Sequence, residues 1–295
     1  MSLLVKNGEI VTANERKVAD IWCEGETITT IGENLPAPDG CEVIDATGKY
    51  VFPGFIDPHV HIYLPFMGTF AKDNYETASR AALVGGTTTL IEMCCPAKSD
   101  DPIEAFELWK GKAEGMSACD FSFHMGVTRF DENTPDQLRQ IVDQGITSFK
   151  VFLAYAGAFA VDDDELFKTL QLAKELDVVV TAHCENATLV SQLQAALLAD
   201  GKTGPEFHEP SRPTSVEAAG VQHLMTFAEL TGARTYIVHL SCEEALDAAL
   251  AARARGVDVH VETLISICCS TRLTRKKLIS KAQSLSCLLL SLIHI

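Results

Sequence analysis

In Asp57-Pro58-His59-Val60-His61, two histidines stand two residues apart at the end of an apolar stretch. If that stretch is a strand, its period of two sends both imidazoles to the same face, where they can share a metal ion. A lone histidine in an apolar strand is usually structural, whereas a His-x-His pair at a strand's C-terminal end favours a metal. Two further histidines close apolar runs in the same way: His183 ends VVVTAH and His239 ends RTYIVH. Each of these alone reads equally well as an ordinary polar residue at a strand end. Lys150 lies between Phe149 and Val151. A charged ammonium is costly to bury there, so it must either snorkel to water or give up its proton. A neutral amine can add carbon dioxide and become a carbamate, an anionic two-oxygen ligand able to bridge two cations. Both fates stay open.

The elements that would position these residues are legible in the hydrophobic pattern. From Ser2 to about Ile44, short alternating apolar runs broken by Gly, Asn and Pro predict a small antiparallel sheet. Beyond Asp45 come seven strand candidates: YVFPGFIDPHVH, TTTLIEMCC, CDFSFHMGV, TSFKVFLAY, VVVTAHCE, RTYIVHLS and VDVHVE. Helical segments alternate with them, among them DNYETASRAALVGG, DPIEAFELWKGKAEG, DELFKTLQLAKEL, SVEAAGVQHLMTFAEL and CEEALDAALAARARG. Several begin after an Asp or Ser suited to an N-cap and end at Gly. This alternation predicts an α/β fold with a parallel sheet, and an eighth strand would close a (β/α)8 barrel. In such a barrel four strand ends bring His59, His61, Lys150, His183 and His239 to one rim, where barrel enzymes place their sites. A doubly wound open sheet is the competing fold, but the GxGxxG that usually follows its first strand is absent.

Composition bounds the function classes. The 295 residues are 47% apolar and 22% charged, ordinary for a soluble globular protein. The net charge of −16 argues against a binder of nucleic-acid phosphates. No basic leader precedes a long apolar run, and the apolar cluster from Leu285 to Ile295 is too short for a bilayer. The ten cysteines form no CxxC pair and are expected to be reduced thiols of a cytoplasmic protein. The last 33 residues differ from the rest: they hold five basic and no acidic residues, whereas residues 1–262 carry 19 − 40 = −21. At the acidic content of the rest, about five Asp or Glu would be expected there. A basic tail or a stray helix would account for this, but a frameshift after about Thr263 accounts for it better. Synonymous codons for the tail, read from the third base of the Cys268 codon, can encode a stretch of mixed, acidic composition.

Five stretches, GFIDPHVHIYLPFMGT, GGTTTLIEM, SFKVFLAYAG, TAHCEN and YIVHLS, occur in the order found in the amidohydrolase superfamily. More narrowly, residues 1–262 resemble the dihydropyrimidinase/D-hydantoinase family of cyclic amidases. The resemblance implies a (β/α)8 amidohydrolase barrel, incomplete over 51–262, with part of a small β-sandwich at 1–50. It implies two zinc ions bridged by carboxylated Lys150, with His59 and His61 on one metal and His183 and His239 on the other. Tyr155 matches the tyrosine that hydrogen-bonds the developing oxyanion. Leu64, Phe152 and Phe159 match positions lining the pocket for the substrate's exocyclic group, with plain core packing as the competing reading. The implied reaction opens a dihydropyrimidine or a 5-substituted hydantoin to an N-carbamoyl amino acid, in a homo-oligomer that is commonly tetrameric. The printed chain has no counterpart of the family's eighth strand or of the catalytic Asp that follows it. Dihydroorotases carry HxHxR; Tyr63 stands in place of that Arg, which argues against their carboxylate substrate. Alternative readings are an allantoinase-like amidase, a non-catalytic relative used for assembly, and an inactive truncated fragment. His124 is expected to be a packed strand residue, and His208, His223 and His260 have no convergent partners. Cys184 should face away from His183 and is not assigned as a nucleophile.

Overall fold

The computed structural model describes residues 2–66 and 68–264. Apart from Thr263 and Leu264, the expectation for the tail therefore lies outside the described residues. The chain divides into two compact units that part between Phe55 and Ile56. In the first, β1 (Ser2–Val11), β2 (Arg16–Glu24) and β3 (Thr27–Gly32) form an antiparallel meander. Two short strands, β4 (Glu42–Asp45) and β5 (Tyr50–Val51), then pair with β1 in parallel. The sheet is thus mixed rather than antiparallel. Alternating apolar residues specify which face is buried but not the strand direction, and the segment 33–41 returns the chain before β4 begins. Ile10, Ala19 and Ile21 form this unit's core. Gly8 is required beside it, because a Cβ there would lie 2.5 Å from Cγ2 of Val51.

The second unit carries all seven strands expected after Asp45. They are β6 (Phe55–Val60) and, after a small hairpin of β7 (Pro65–Phe66) with β8 (Thr69–Phe70), β9 (Thr87–Cys94), β10 (Asp120–Gly126), β11 (Ser148–Phe152), β12 (Val179–His183), β13 (Thr235–Ile237) and β14 (Val259–Val261). Their order is β14-β13-β12-β11-β10-β9-β6, so sequential strands lie side by side. Between them run α1 (Tyr75–Val84), α2 (Pro102–Ala113), α3 (Thr134–Asp143), α4 (Asp163–Glu175), α5 (Ala187–Ala199), α6 (Thr214–Thr231) and α7 (Glu243–Ala254). The starts of four helices are capped by side chains: Asn74 and Asp162 close capping boxes, the Asp101 carboxylate accepts two backbone N–H groups, and Asn186 accepts the Leu189 N–H.

Every residue of β11 is buried, as befits a parallel strand covered on both faces. Phe149 and Val151 pack into the large core that also holds Ile141, Leu170, Leu224 and Met225. Lys150 and Phe152 alternate with them and point to the other face. The two end strands of the sheet are linked by a side-chain contact 2.6 Å long between His59 and Glu262. The sheet is therefore curled, and the described residues supply seven strands of an incomplete (β/α)8 barrel. Among the described residues all seven cysteines are free, and no helix is long and apolar enough to cross a membrane.

Candidate metal centre

The His-x-His pair sits at the end of β6, as the pattern predicted. The His59 backbone N–H donates to Asp57 Oδ1, and the carbonyl of Pro58 accepts from His124 Nε2 at 2.7 Å. Since a carbonyl can only accept, His124 carries its proton on Nε2, and Nδ1 takes the Ser148 hydroxyl proton at 2.5 Å. Burial pushes the His124 imidazole down to about 4, so it remains neutral. It ties β6, β10 and β11 together, the packing role expected for it.

The strand ends bring the other imidazoles to this pair. Ring centroids lie 5.3 Å apart for His59 and His61, 5.4 Å for His59 and His239, and 4.7 Å for His183 and His239. His239 adopts a left-handed backbone, φ +39, unusual for a residue with a side chain. Burial lowers the His183 imidazole below its ordinary value. His239 lies well below, through burial first and then repulsion from the protonated forms of His183, His59 and Lys150. Both are neutral at physiological pH and keep a lone pair.

Lys150 is 1% exposed. Its Nζ makes no hydrogen bond among the described residues and lies 4.8 Å from the Phe152 ring centroid. It has not snorkelled, and burial lowers its ammonium to about 8, against a partial counter-effect from Cys95 and Glu262. The free-amine form that adds carbon dioxide is thus within reach near neutral pH.

Two carboxylates that the motif reading did not single out fix the rings. Glu262 Oε1 lies 2.6 Å from His59 Nδ1, and Glu185 Oε2 lies 2.6 Å from His183 Nε2. A carboxylate accepts, so each histidine carries its proton toward the acid and turns its other nitrogen's lone pair inward. For His183 that nitrogen is Nδ1, 3.1 Å from His239 Nε2. The same Glu185 oxygen accepts from Arg212, whose guanidinium carbon sits 5.5 Å above the Tyr155 ring. No sequence pattern marked Arg212. It comes from the segment before α6, whose Gly220 lets the helix lie against the Cys184–Glu185 backbone; a Cβ there would be 2.6 Å from Glu185 N.

Among the described residues no three His, Cys, Asp or Glu side chains converge as a ready metal cage. The imidazoles engage carboxylates and one another instead. The donor set nonetheless suits a divalent cation: the neutral imidazoles of His183 and His239, and a buried amine with no hydrogen-bonding partner among the described residues.

Beside the histidines lies a second apolar cluster containing Leu64, Phe152 and Phe159 together with Met93, Cys95 and Val238. Tyr155 packs on it, its ring 5.0 Å from that of His183. Its backbone is left-handed, φ +66, and its carbonyl accepts the N–H groups of Ala158 and Phe159 in a tight turn. Burial raises the Tyr155 phenol above its ordinary value, keeping it protonated. All eight sequence-derived partners of Tyr155 are therefore gathered at one end of the sheet. Tyr63 is not among them: it stacks on Phe70 and meets Trp109 edge-on. His223 pairs with Asp163 on the surface, and His260 lies near Asp258. Cys184 packs in the large core, away from His183.

The profile described as the Amidohydrolase family matches residues 50–285. The chain is 42% identical over 264 residues to the D-hydantoinase of Geobacillus stearothermophilus, covering 89% of this chain and 56% of that one. It is 35% identical to the dihydropyrimidinase of Dictyostelium discoideum, over 89% of this chain and 52% of the relative. The solved structure of a D-hydantoinase (dihydropyrimidinase) from Thermus sp. superposes with a TM-score of 0.91 at 64% identity, covering 93% of this chain and 60% of that one. The chain thus spans between 52% and 60% of the length of these relatives.

Proposed function

Since the chain belongs to the amidohydrolase family, we propose that it forms the barrel part of a metal-dependent cyclic amidase. Its substrate would be a cyclic ureide, a 5,6-dihydropyrimidine or a 5-substituted hydantoin, opened to an N-carbamoyl amino acid. The observation that carries this reading is the convergence of His59, His61, Lys150, His183 and His239 at the ends of four strands. A non-catalytic relative would have no need to keep all five.

In this reading His59 and His61 would hold one zinc ion and His183 and His239 the other, with carboxylated Lys150 as the fifth donor. When bound, the metals supply Lewis acidity and an activated water near neutral pH. Tyr155 donates its O–H to the carbonyl oxygen of the scissile amide as negative charge builds there. The turn that closes on its carbonyl holds the phenol against His183, at the edge of the centre. Leu64, Phe152 and Phe159 offer the ring's exocyclic substituent an apolar wall, which also keeps water from the amide. Assembly into a homo-tetramer belongs to the same reading and is read by sedimentation.

Purified in the presence of zinc, the chain is expected to retain about two ions by elemental analysis. With no counterpart of the family's Asp to move the proton, ring opening should be about 10²–10⁴-fold slower than in a complete relative, with dihydrouracil and a 5-aryl hydantoin still opened faster than allantoin. Protein that binds no metal and opens none of the three rings would overturn the proposal.

A further inference from the structure

The seventh parallel strand is followed directly by a carboxylate. Glu262 is anchored to β13 on both sides of its backbone: its N–H donates to Ile237 O at 2.9 Å, and its carbonyl accepts from Leu240 N–H at 2.8 Å. The side chain is 9% exposed, so its position is set by packing as well as by the ladder. One oxygen, Oε1, then makes two contacts. It lies 2.6 Å from His59 Nδ1, and it accepts the backbone N–H of His239 at 3.0 Å. His59 belongs to β6 and His239 follows β13, so a single atom reaches histidines from opposite ends of the curled sheet.

Each contact does something specific. Toward His59, an acceptor at Nδ1 selects the Nδ1–H tautomer, in which Nε2 carries the lone pair, the arrangement common to carboxylate–histidine–metal triads. Toward His239, the bond holds an amide whose residue is in the left-handed region, a conformation that persists only where the surroundings enforce it. Two histidines assigned to two different ions therefore depend on one carboxylate.

We propose that Glu262 is a positioning residue that sets both halves of the metal centre at once, fixing the tautomer of His59 and the backbone of His239 without itself binding an ion. The proposal rests on the two-metal reading above and adds to it the element that couples the two ions.

The test compares Glu262→Ala and Glu262→Gln with the parent chain. Zinc affinity is measured by competition with a chromogenic chelator, and the His59 tautomer by nitrogen-15 imidazole NMR of the metal-free protein. Removing such a partner typically weakens metal binding about 10- to 100-fold. Glu262→Ala should show that loss for both ions together, while Glu262→Gln, whose amide oxygen can occupy the place of Oε1, should recover most of it. In the metal-free parent His59 should be protonated at Nδ1, and in Glu262→Ala that preference should disappear. Circular dichroism of each variant shows whether it is folded, and Glu262→Gln remains available if the alanine variant is not. Unchanged affinity in both variants would overturn the proposal. So would loss of one ion alone in both, which would make Glu262 a ligand, and so would a retained Nδ1–H signal in Glu262→Ala. A parent chain that binds no zinc would sink the two-metal reading instead, and the tautomer signal would still decide whether Glu262 governs His59.

Discussion

Arg212 carries a charge that is nearly enclosed, with 13% of its side chain exposed, against a Glu185 side chain exposed to 14%. Burial pushes the Glu185 carboxyl up, but its hydrogen bond from His183 and the charge of Arg212 outweigh this and hold it below its ordinary value. The pair is enclosed enough that its two members should not behave independently. Replacing Arg212 by Met leaves the carboxylate desolvated with one partner fewer, and breaking a buried pair in this way typically costs about 3–5 kcal/mol. Replacing Glu185 by Gln in the same chain removes the stranded charge, so the double variant should lie well above the sum of the single losses. Urea unfolding of the four proteins reads the coupling directly; additive losses would show that the pair is solvated. The four candidate histidines were legible because each sits at the end of an apolar run, and Lys150 because it stands inside one, both local signals. Arg212 and Glu262 were not, because their roles exist only across elements, and Glu185, two residues from His183, carries no spacing signal of its own. Glu262 stands 203 residues from His59, and no spacing rule connects them.

At the scale of elements, the segment following β6 depends on β9. Glu92, on β9, accepts the backbone N–H groups of Ile62 and Tyr63 at 3.0 and 2.8 Å, and so fixes the chain just beyond the His-x-His pair. The Tyr75 hydroxyl and the Trp109 indole N–H face the same carboxylate, although neither closes a hydrogen bond of good geometry. Burial pushes Glu92 up to about 7, more than its hydrogen bonds pull it down. A carboxyl that titrates near 4.5 in the unfolded chain and near 7 in the folded one is more protonated in the folded chain between those values. Its contribution to stability is therefore present at low pH and is lost as pH rises from about 4.5 to about 7. At roughly 1.4 kcal/mol per pH unit, the loss is at most about 3 kcal/mol. The unfolding free energy of the parent should fall by up to that amount relative to Glu92→Gln across this window, and the difference should be flat above it. A pH-independent difference would mean that Glu92 stays ionised throughout. The seven strands and five of the helices were legible in apolar periodicity and in caps such as Asp101 and Asp162. The direction of β4 and β5 was not, because a period of two is the same read either way.

At the scale of the whole molecule, the parallel order of the strands and the contact between its two ends give the chain one contiguous interior in its second unit. Among the described residues its large cluster runs from Val60 at the first strand to Val259 at the last. The composition of the chain breaks at the same place, since all 40 acidic residues precede Thr263 and the segment after it is basic and apolar. That break in composition predicts that residues 265–295 add nothing to the stability of the folded part. Cutting after Leu264 should leave the free energy of unfolding within about 0.5 kcal/mol of the parent, the range of substitutions that touch no packed group. Solubility should rise, because the removed segment carries an apolar run with no acidic residue to offset it. Zinc stoichiometry should not change, since the histidines and Lys150 all lie before the cut. A stability loss of several kcal/mol would show instead that the tail packs against the barrel, and the break in composition would then mark a change of surface rather than the end of the folded chain.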